Sequence, residues 1–326
     1  MATLLDIRKL SVSAIEERTR TPILSDIHLA IEPGQTIGVV GESGSGKTVL
    51  VRSILGLIEY PLVVDEGQVY FQGIDLAGLA EQDLEKIRGR DIALTTAEPR
   101  KHLNPLISIG TQLVNVIRAH RDISRKDALD VAVDLLKSVG IPDPELRLTG
   151  YPHEMSGGMC QRIIIAMALA HETKILLVDE PTAGLDVTIS RQILDLIQGF
   201  IKKRDLAVLL VSRDLGVIAH YCDQVAIMYA GRIVEKAPIA NFFSNPIHPY
   251  SKQLLRSAAA ARDQQATDQR MSSLSPPATV GCAYAPRCNL VESRCEDGLV
   301  DLEVQESDHL VRCLRHDEIA RGLVSN

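Results

Sequence analysis

The residues Gly41-Glu42-Ser43-Gly44-Ser45-Gly46-Lys47-Thr48 carry the spacing G-x-x-x-x-G-K-T, and Val49 opens the apolar run that follows. The glycines let the backbone curl until successive N–H groups converge on one concavity, and such a nest attracts anions. A helix beginning there adds the partial positive charge of its N-terminus. Lys47 has the length to reach the β- and γ-phosphates of a nucleotide held in that cradle, and the Thr48 hydroxyl is placed to bind Mg2+.

A second element supplies acids. The run Lys174-Ile175-Leu176-Leu177-Val178 ends in Asp179-Glu180-Pro181. Beside a phosphate loop, Asp179 holds Mg2+ through its water shell, and Glu180 is the candidate base that polarises an attacking water. A third element is Ser156-Gly157-Gly158-Met159-Cys160-Gln161, ahead of the apolar stretch Ile163–Leu169. It makes a second anion-binding helix start. Nothing in its own chain obviously fills that start, so a partner's nucleotide is a candidate occupant.

Four of the six cysteines crowd the C-terminal end. Cys282, Cys288, Cys295 and Cys313 have the spacing C-x5-C-x6-C-x17-C. Four thiolates suit either an iron–sulfur cluster or structural zinc, and tight C-x2-C pairs are absent. In a chain whose first residues show no export signal, such clustering favours metal over disulfides. A segment of under about 50 residues makes a thin core, so a structural role for the bound group is expected. Cys160 and Cys222 read as small packing residues. His248 reads as a turn residue that packs or bonds locally, and Lys202-Lys203-Arg204 as a solvated helix end.

The elements that must position these groups follow from periodicity. Residues 1–40 alternate apolar and polar positions and then become more apolar, which predicts short antiparallel strands leading into the central strand Thr36-Ile37-Gly38-Val39-Val40. A helix is expected after the glycine loop, a strand over 66–72, and helical spacing from Asp75, with further helices at 108–120 and 124–139. The continuous apolar runs 174–178 and 207–211 predict strands buried on both faces. Strands at 225–229 and 232–235, turned by Ala230-Gly231, close the core; a short helix at 251–260 and a linker over 260–281 follow.

The chain has 326 residues, is 45% hydrophobic and carries a formal net charge of −7, enough for one large domain with an appendage or for two domains, and no bulk attraction to nucleic acid. No apolar run approaches the roughly 18 residues of a membrane span. A protein that is soluble, or held at a membrane by other subunits, is expected.

The phosphate loop, the Ser156–Gln161 segment and Leu176-Leu177-Val178-Asp179-Glu180-Pro181-Thr182-Ala183-Gly184-Leu185-Asp186 together resemble an ABC transporter ATPase subunit, over roughly residues 3–255. Asn245-Pro246-Ile247-His248-Pro249-Tyr250 and the four cysteines resemble the dipeptide, oligopeptide and nickel importer ATPases. The resemblance implies an α/β fold: a P-loop ABC-type nucleotide-binding domain with an antiparallel β subdomain and a helical insertion, plus a small metal-bound C-terminal extension. The expected division is 1–243 for the ATPase domain, with the helical part at about 75–172, then 244–281 as connection and 282–326 as the cysteine region. It implies ATP and Mg2+ as ligands, with Gly41 to Val49 on the nucleotide and Thr48 and Asp179 on the metal. Ser156, Gly157, Gly158 and Gln161 are expected to face the nucleotide of a second ATPase. It tips the cysteines toward a [4Fe–4S] cluster, with zinc as the alternative. The implied partners are an unlike ATPase subunit, two transmembrane permeases and an extracytoplasmic solute-binding protein, with no nucleic acid. The implied place is the cytoplasmic face of a bacterial inner membrane, and the solute a peptide or, behind it, nickel complexes or other small solutes.

Three positions depart from the family's usual pattern. Ala14 stands where an aromatic residue stacks on adenine. Ala97, in Thr96-Ala97-Glu98-Pro99, stands where a Gln helps ligate Mg2+. Arg213, after 207–211, stands where a His contacts the γ-phosphate. The first expectation from these changes is slow hydrolysis at this chain's own site, with an intact Ser156–Gly158 turn serving a partner; the competing one is that the Arg213 cation stabilises the γ-phosphate charge. A soluble ABC-type ATPase acting on ribosomes or DNA, or a purely regulatory subunit, are the rival functions.

Overall fold

The computed structural model describes residues 3–16, 19–262, 277–298, 300–306 and 308–324. In chain order its elements are β1 (Leu5–Glu16), β2 (Thr19–Ile31), β3 (Thr36–Val40), α1 (Lys47–Ile54), β4 (Leu62–Phe71), β5 (Ile74–Asp75), α2 (Glu81–Ile87), β6 (Ile92–Thr95), α3 (Pro99–His102), α4 (Ile109–Ala119), α5 (Arg125–Ser138), α6 (Pro144–Thr149), α7 (Gly157–Ala168), β7 (Ile175–Asp179), α8 (Val187–Arg204), β8 (Ala207–Ser212), α9 (Leu215–Tyr221), β9 (Gln224–Tyr229), β10 (Arg232–Pro238), α10 (Ile239–Ser244), α11 (Pro249–Arg262), β11 (Glu303–Glu306), β12 (His309–Val311) and α12 (His316–Ala320). The chain divides into two compact units. One holds Ile31–Thr36 and Tyr70–Val211 with the N-terminal residues through Leu5; the other holds Asp6–Ala30, Ile37–Val69 and the chain from Ser212 onward.

In the first unit β6, β7 and β8 run parallel, with Thr95 opposite Val178 and Asp179 opposite Val211. Every residue of β7 and β8 is buried, which is why both read as unbroken apolar runs. The helices α4 and α5 start on serine caps: Ser108 accepts from the Thr111 N–H and Ser124 from the Asp127 N–H. Their apolar faces, Ile109, Leu113, Val114 and Ile117 on α4 and Ala128, Ala132, Leu135 and Leu136 on α5, are the buried ones. The helix α7 packs against α3, α5 and β6. The helical spacing expected from Asp75 begins later than the leucines suggest. Asp75 instead ends β5, and its carboxylate accepts the Ala77 N–H to cap a single 3-10 turn before α2.

In the second unit β3 and β9 are parallel, with Val40 opposite Ile227, and β9 returns antiparallel as β10 through Ala230-Gly231. A Cβ at Gly231 would stand 2.2 Å from the Ile23 carbonyl oxygen, so the turn admits glycine alone. β1 and β2 are long strands of 12 and 13 residues rather than the short ones expected. Lys9 and Asp26, both at positive φ, lie inside them, so irregularities that resemble turns bend continuous strands.

The C-terminal region departs most from expectation. The region is held by strand pairing and a shared core. β12 pairs antiparallel with β10, Glu235 opposite Val311, and β11 pairs with β12 in turn. Ile247, Val311 and Ile319 share one small buried cluster. The region borrows a sheet edge and part of a core, which a segment of its size needs. Most of the linker expected over 260–281 lies outside the described residues; α11 itself runs on to Arg262.

Candidate functional site

The glycine loop does what its spacing demands. Gly44 and Gly46 take φ of +80° and +97°, the left-handed region. A Cβ at Gly41 would meet the Met228 carbonyl oxygen at 2.2 Å. The loop closes through the Ser45 N–H, which donates to the Glu42 carbonyl at 3.2 Å, and α1 starts at Lys47 with Gly46 as its cap residue. The Lys47 ammonium is 5% exposed and donates to the carbonyls of Gly41 at 2.8 Å and Glu42 at 2.9 Å. Its charge is thus held over the concave side of the loop. Glu42, Ser43, Gly44 and Thr48 are exposed, Val49 half-buried and Ser45 buried.

Two residues that sequence reasoning missed also grip this loop. The Tyr250 hydroxyl accepts the Glu42 N–H at 3.1 Å, and Arg287 donates to both carboxylate oxygens of Glu42 at 3.1 Å each. Tyr250 lies in the Asn245–Tyr250 segment that marks the family resemblance, so that motif was a signal for it. Arg287 had no signal beyond its place beside Cys288. Arg213 follows β8 as an exposed residue, and Ala14 is half-buried on β1.

In the other unit Asp179 ends β7, 7% exposed. Glu180 follows at φ +43°, and its N–H donates to the Val211 carbonyl at 3.1 Å. A non-glycine residue in the left-handed region is strained. Ser156 caps α7, its hydroxyl accepting the Met159 N–H at 3.2 Å, and is itself exposed. A Cβ at Gly158 would press on Ile189 Cγ2 at 2.8 Å. Gln161, in the second turn of that helix, is 1% exposed. Ala97, Gly157, Gln161, Gly184 and Leu185 line one cavity of about 460 Å3.

The four C-terminal cysteines come together. Cys282, Cys288, Cys295 and Cys313 line one cavity, with Ala285, Leu290, Val291 and Ile319 as its apolar walls. All are free thiols. Burial raises the thiols of Cys282 and Cys288 and pushes Cys313 up to about 12. Among the described residues no three His, Cys, Asp or Glu side chains are gathered closely enough to hold one metal ion. A tetrahedral zinc site brings its sulfurs to about 2.3 Å from one centre, and these thiols are not so arranged. The expectation of a metal-bound extension is thus not supported: the four thiols share a cavity, but among the described residues they do not form a metal-holding group. His248 is buried and behaves as the sequence suggested: its Nδ1 accepts the Tyr250 N–H at 3.1 Å. Cys160 is fully buried and Cys222 half-buried, and burial raises both thiols.

A parallel α/β core with a phosphate loop at the head of α1 and an acidic end to β7 defines a P-loop nucleoside-triphosphatase fold. Solved structures agree on the fold. The ATP-binding cassette MJ0796, solved as a dimer in a post-hydrolysis state bound to ADP and Pi, superposes with a TM-score of 0.66 at 23% identity, covering 72% of this chain and 98% of that one. The cbiO1 subunit from Clostridium perfringens, part of the ABC transporter complex cbiONQ, gives 0.64 at 23% identity over 80% of this chain and 100% of that one. Residues 24–183 match the ABC transporter family, and residues 234–295 match the C-terminal region of oligopeptide/dipeptide transporters. The oligopeptide transport ATP-binding protein AppD of Bacillus subtilis is 35% identical over 98% of both chains. The dipeptide transport ATP-binding protein DppD of Haemophilus influenzae is 37% identical over 90% of this chain and 89% of its own. The chain belongs to the ABC transporter ATPases, in their peptide, dipeptide and oligopeptide importer family.

Proposed function

We propose that this ABC-type ATPase powers the uptake of peptides, as one of two unlike ATPase subunits beneath two transmembrane permeases fed by an extracytoplasmic solute-binding protein. The single observation that carries the reading is Lys47, buried and hydrogen-bonded within the glycine loop at the start of α1. In this reading Gly41 to Val49 cradle the ATP phosphates, and Thr48 and Asp179 hold Mg2+. Glu180 activates the attacking water, which its strained backbone supports. Ser156, Gly157 and Gly158 close over the partner's ATP; the exposure of Ser156 at the α7 start supports this, whereas the burial of Gln161 gives that residue a supporting place behind them. Among the described residues no helix is long and apolar enough to cross a membrane, in keeping with peripheral attachment through the permeases. The functional division in this reading is 1–243 for the ATPase domain, 244–281 as connection and 282–326 as the cysteine region.

The chain's own site hydrolyses slowly in this reading. Ala14 offers no ring for adenine, Ala97 no amide for Mg2+, and Arg213 replaces an imidazole. Losing one polar contact at a reacting centre costs about 10²–10³ in rate. The test is to change the catalytic Glu of each subunit separately in the assembled transporter. Glu180→Gln is expected to leave most ATP turnover, and the partner's equivalent change to abolish it. The reverse result would hand the chemistry to this site, with Arg213 as its cation.

Cys282, Cys288, Cys295 and Cys313 are assigned to a [4Fe–4S] cluster. Four thiols around one apolar cavity fit the donor set, with structural zinc as the alternative. Bound there, the cluster would add covalent ties to a region that otherwise relies on β12 and a small core. Iron and zinc assays with visible absorbance on anaerobically purified protein test the assignment; one zinc per chain without iron overturns it.

A further inference from the structure

We infer that Arg287, contributed by the C-terminal region, is a positioning residue of the nucleotide site: it pairs with Glu42 so that the phosphate loop keeps its shape and shows no bare carboxylate to an incoming triphosphate. The inference rests on the nucleotide-binding reading of the Gly41–Thr48 loop.

Glu42 is the first variable residue of the loop, and every polar part of it is occupied. Its carbonyl accepts from Lys47 at 2.9 Å, its N–H donates to the Tyr250 hydroxyl at 3.1 Å, and its two carboxylate oxygens accept from the two terminal nitrogens of Arg287 at 3.1 Å. A two-pronged pair of this kind fixes direction as well as distance. Arg287 is itself locked. Its side chain is 6% exposed, against 46% for Glu42. The guanidinium lies 5.6 Å from the ring centres of both Tyr229 and Tyr284 and donates to the Tyr229 hydroxyl at 3.4 Å. Tyr229, Tyr250 and Tyr284 pack on one another, with ring centres 4.7 to 5.5 Å apart. The exposed end of the pair is thus the one on the loop, and the rigid end is the one on the C-terminal region.

Charge gives the pair a second consequence. A loop built to collect a polyanion carries a carboxylate among its exposed residues, and an unpaired Glu42 would repel the ligand over the distances that salt only partly screens. Arg287 neutralises it. Removing Arg287 should therefore do more harm than removing both charges, an ordering that a purely mechanical brace would not produce.

The experiment is titration of the full-length purified chain with AMP-PNP and Mg2+. Arg287→Gln should weaken binding about three- to tenfold, the effect of a partly exposed charge-assisted pair. Adding Glu42→Gln to it should recover at least half of that loss on a logarithmic scale, and Arg287→Lys, which keeps the charge without the fork, should fall between wild type and Arg287→Gln. Should Arg287→Gln fail to fold, Arg287→Met, which also removes the charge, with and without Glu42→Gln carries the same comparison. Binding within twofold of wild type in the Arg287 variant, or a double variant as weak as or weaker than the single one, overturns the inference. Lys47→Ala serves as the separate control: retained nucleotide binding there would overturn the loop's function itself, whatever Arg287 does.

Discussion

Glu235 and His309, 74 positions apart, meet at 2.7 Å between Oε1 and Nε2 with side chains 0% and 5% exposed. The same carboxylate accepts the N–H groups of Ile247 at 2.8 Å and His248 at 2.9 Å. One buried acid on β10 therefore fastens two things at once. It orders the Asn245–Tyr250 segment, whose Tyr250 then reaches the phosphate loop. It also holds β12, and with it the region carrying the four cysteines. Burying a carboxylate is costly unless its lone pairs are filled, and here three donors fill them.

The first expectation follows from that count. Glu235→Ala leaves two buried N–H groups and an imidazole without an acceptor, and should lower unfolding stability by about 3–5 kcal/mol. Glu235→Gln keeps one acceptor but turns an amide NH2 toward a donor, and should cost about 2 kcal/mol. Urea denaturation followed by circular dichroism measures both. Loss of less than about 0.5 kcal/mol in each would mean that the three bonds do not form as described.

The parts of the molecule legible in the sequence are those whose causes are local. β7 and β8 showed as unbroken apolar runs because both faces are covered. α4 and α5 showed through their serine caps and their spacing. The glycine loop showed because the positive φ of Gly44 and Gly46 and the Lys47 bonds to the Gly41 and Glu42 carbonyls are set within eight consecutive residues. The pairing of β12 with β10 did not show: His309-Leu310-Val311 is three residues long, and β10 lies some 75 positions earlier. Arg287 was hidden for the same reason, since its partner lies 245 positions away. Gln161 was assigned by resemblance to the nucleotide-facing turn, and its burial is not revealed by local pattern.

The loop glycines should differ sharply in tolerance. A methyl group at Gly41 meets the Met228 carbonyl at 2.2 Å and Ser45 Oγ at 2.7 Å, and the first of these is backbone that has no room to yield. At Gly44 nothing lies within 4 Å, and only the positive φ resists a side chain. Gly44→Ala should cost about 1 kcal/mol, the left-handed penalty alone. Gly41→Ala carries no left-handed penalty but overpacks a fixed backbone contact, and should cost about 3 kcal/mol. Thermal midpoints of the two variants check the ordering, and equal midpoints would contradict it.

His171 should give stability a dependence on mild acid. It is 4% exposed, its Nε2 lies 3.0 Å from the Val116 carbonyl, and its ring meets that of His120 edge-on at 4.9 Å. Burial first, then His120, Arg121 and Arg90, hold its pKa below the ordinary 6.5, against the upward pull of the Val116 carbonyl. A base with a lowered pKa binds fewer protons when folded than when unfolded. Its contribution is then complete above the ordinary imidazole value and is lost as pH falls below it. The thermal midpoint should drop between about pH 7.5 and about pH 5.5, and His171→Gln should drop less over that range. Identical slopes in the two proteins would exclude His171 as the source.

Ala97 offers a gain-of-function experiment. It lies just beyond β6, half-buried, on the wall of the 460 Å3 cavity it shares with Gln161 and Gly184, so a longer side chain has space to enter without displacing the core. If slow chemistry at this chain's own site reflects a missing metal-side amide, Ala97→Gln should restore part of it. An added polar contact to the metal at the reacting centre corresponds to a rise in turnover of about tenfold or more, up to about 10³. The measurement is ATP hydrolysis by the assembled transporter whose partner subunit has been silenced at its own catalytic Glu, so that only this site contributes. A rise in kcat at unchanged nucleotide affinity would place the defect in the chemical step. An unchanged rate would rule out the missing amide at Ala97 as the source of slow turnover.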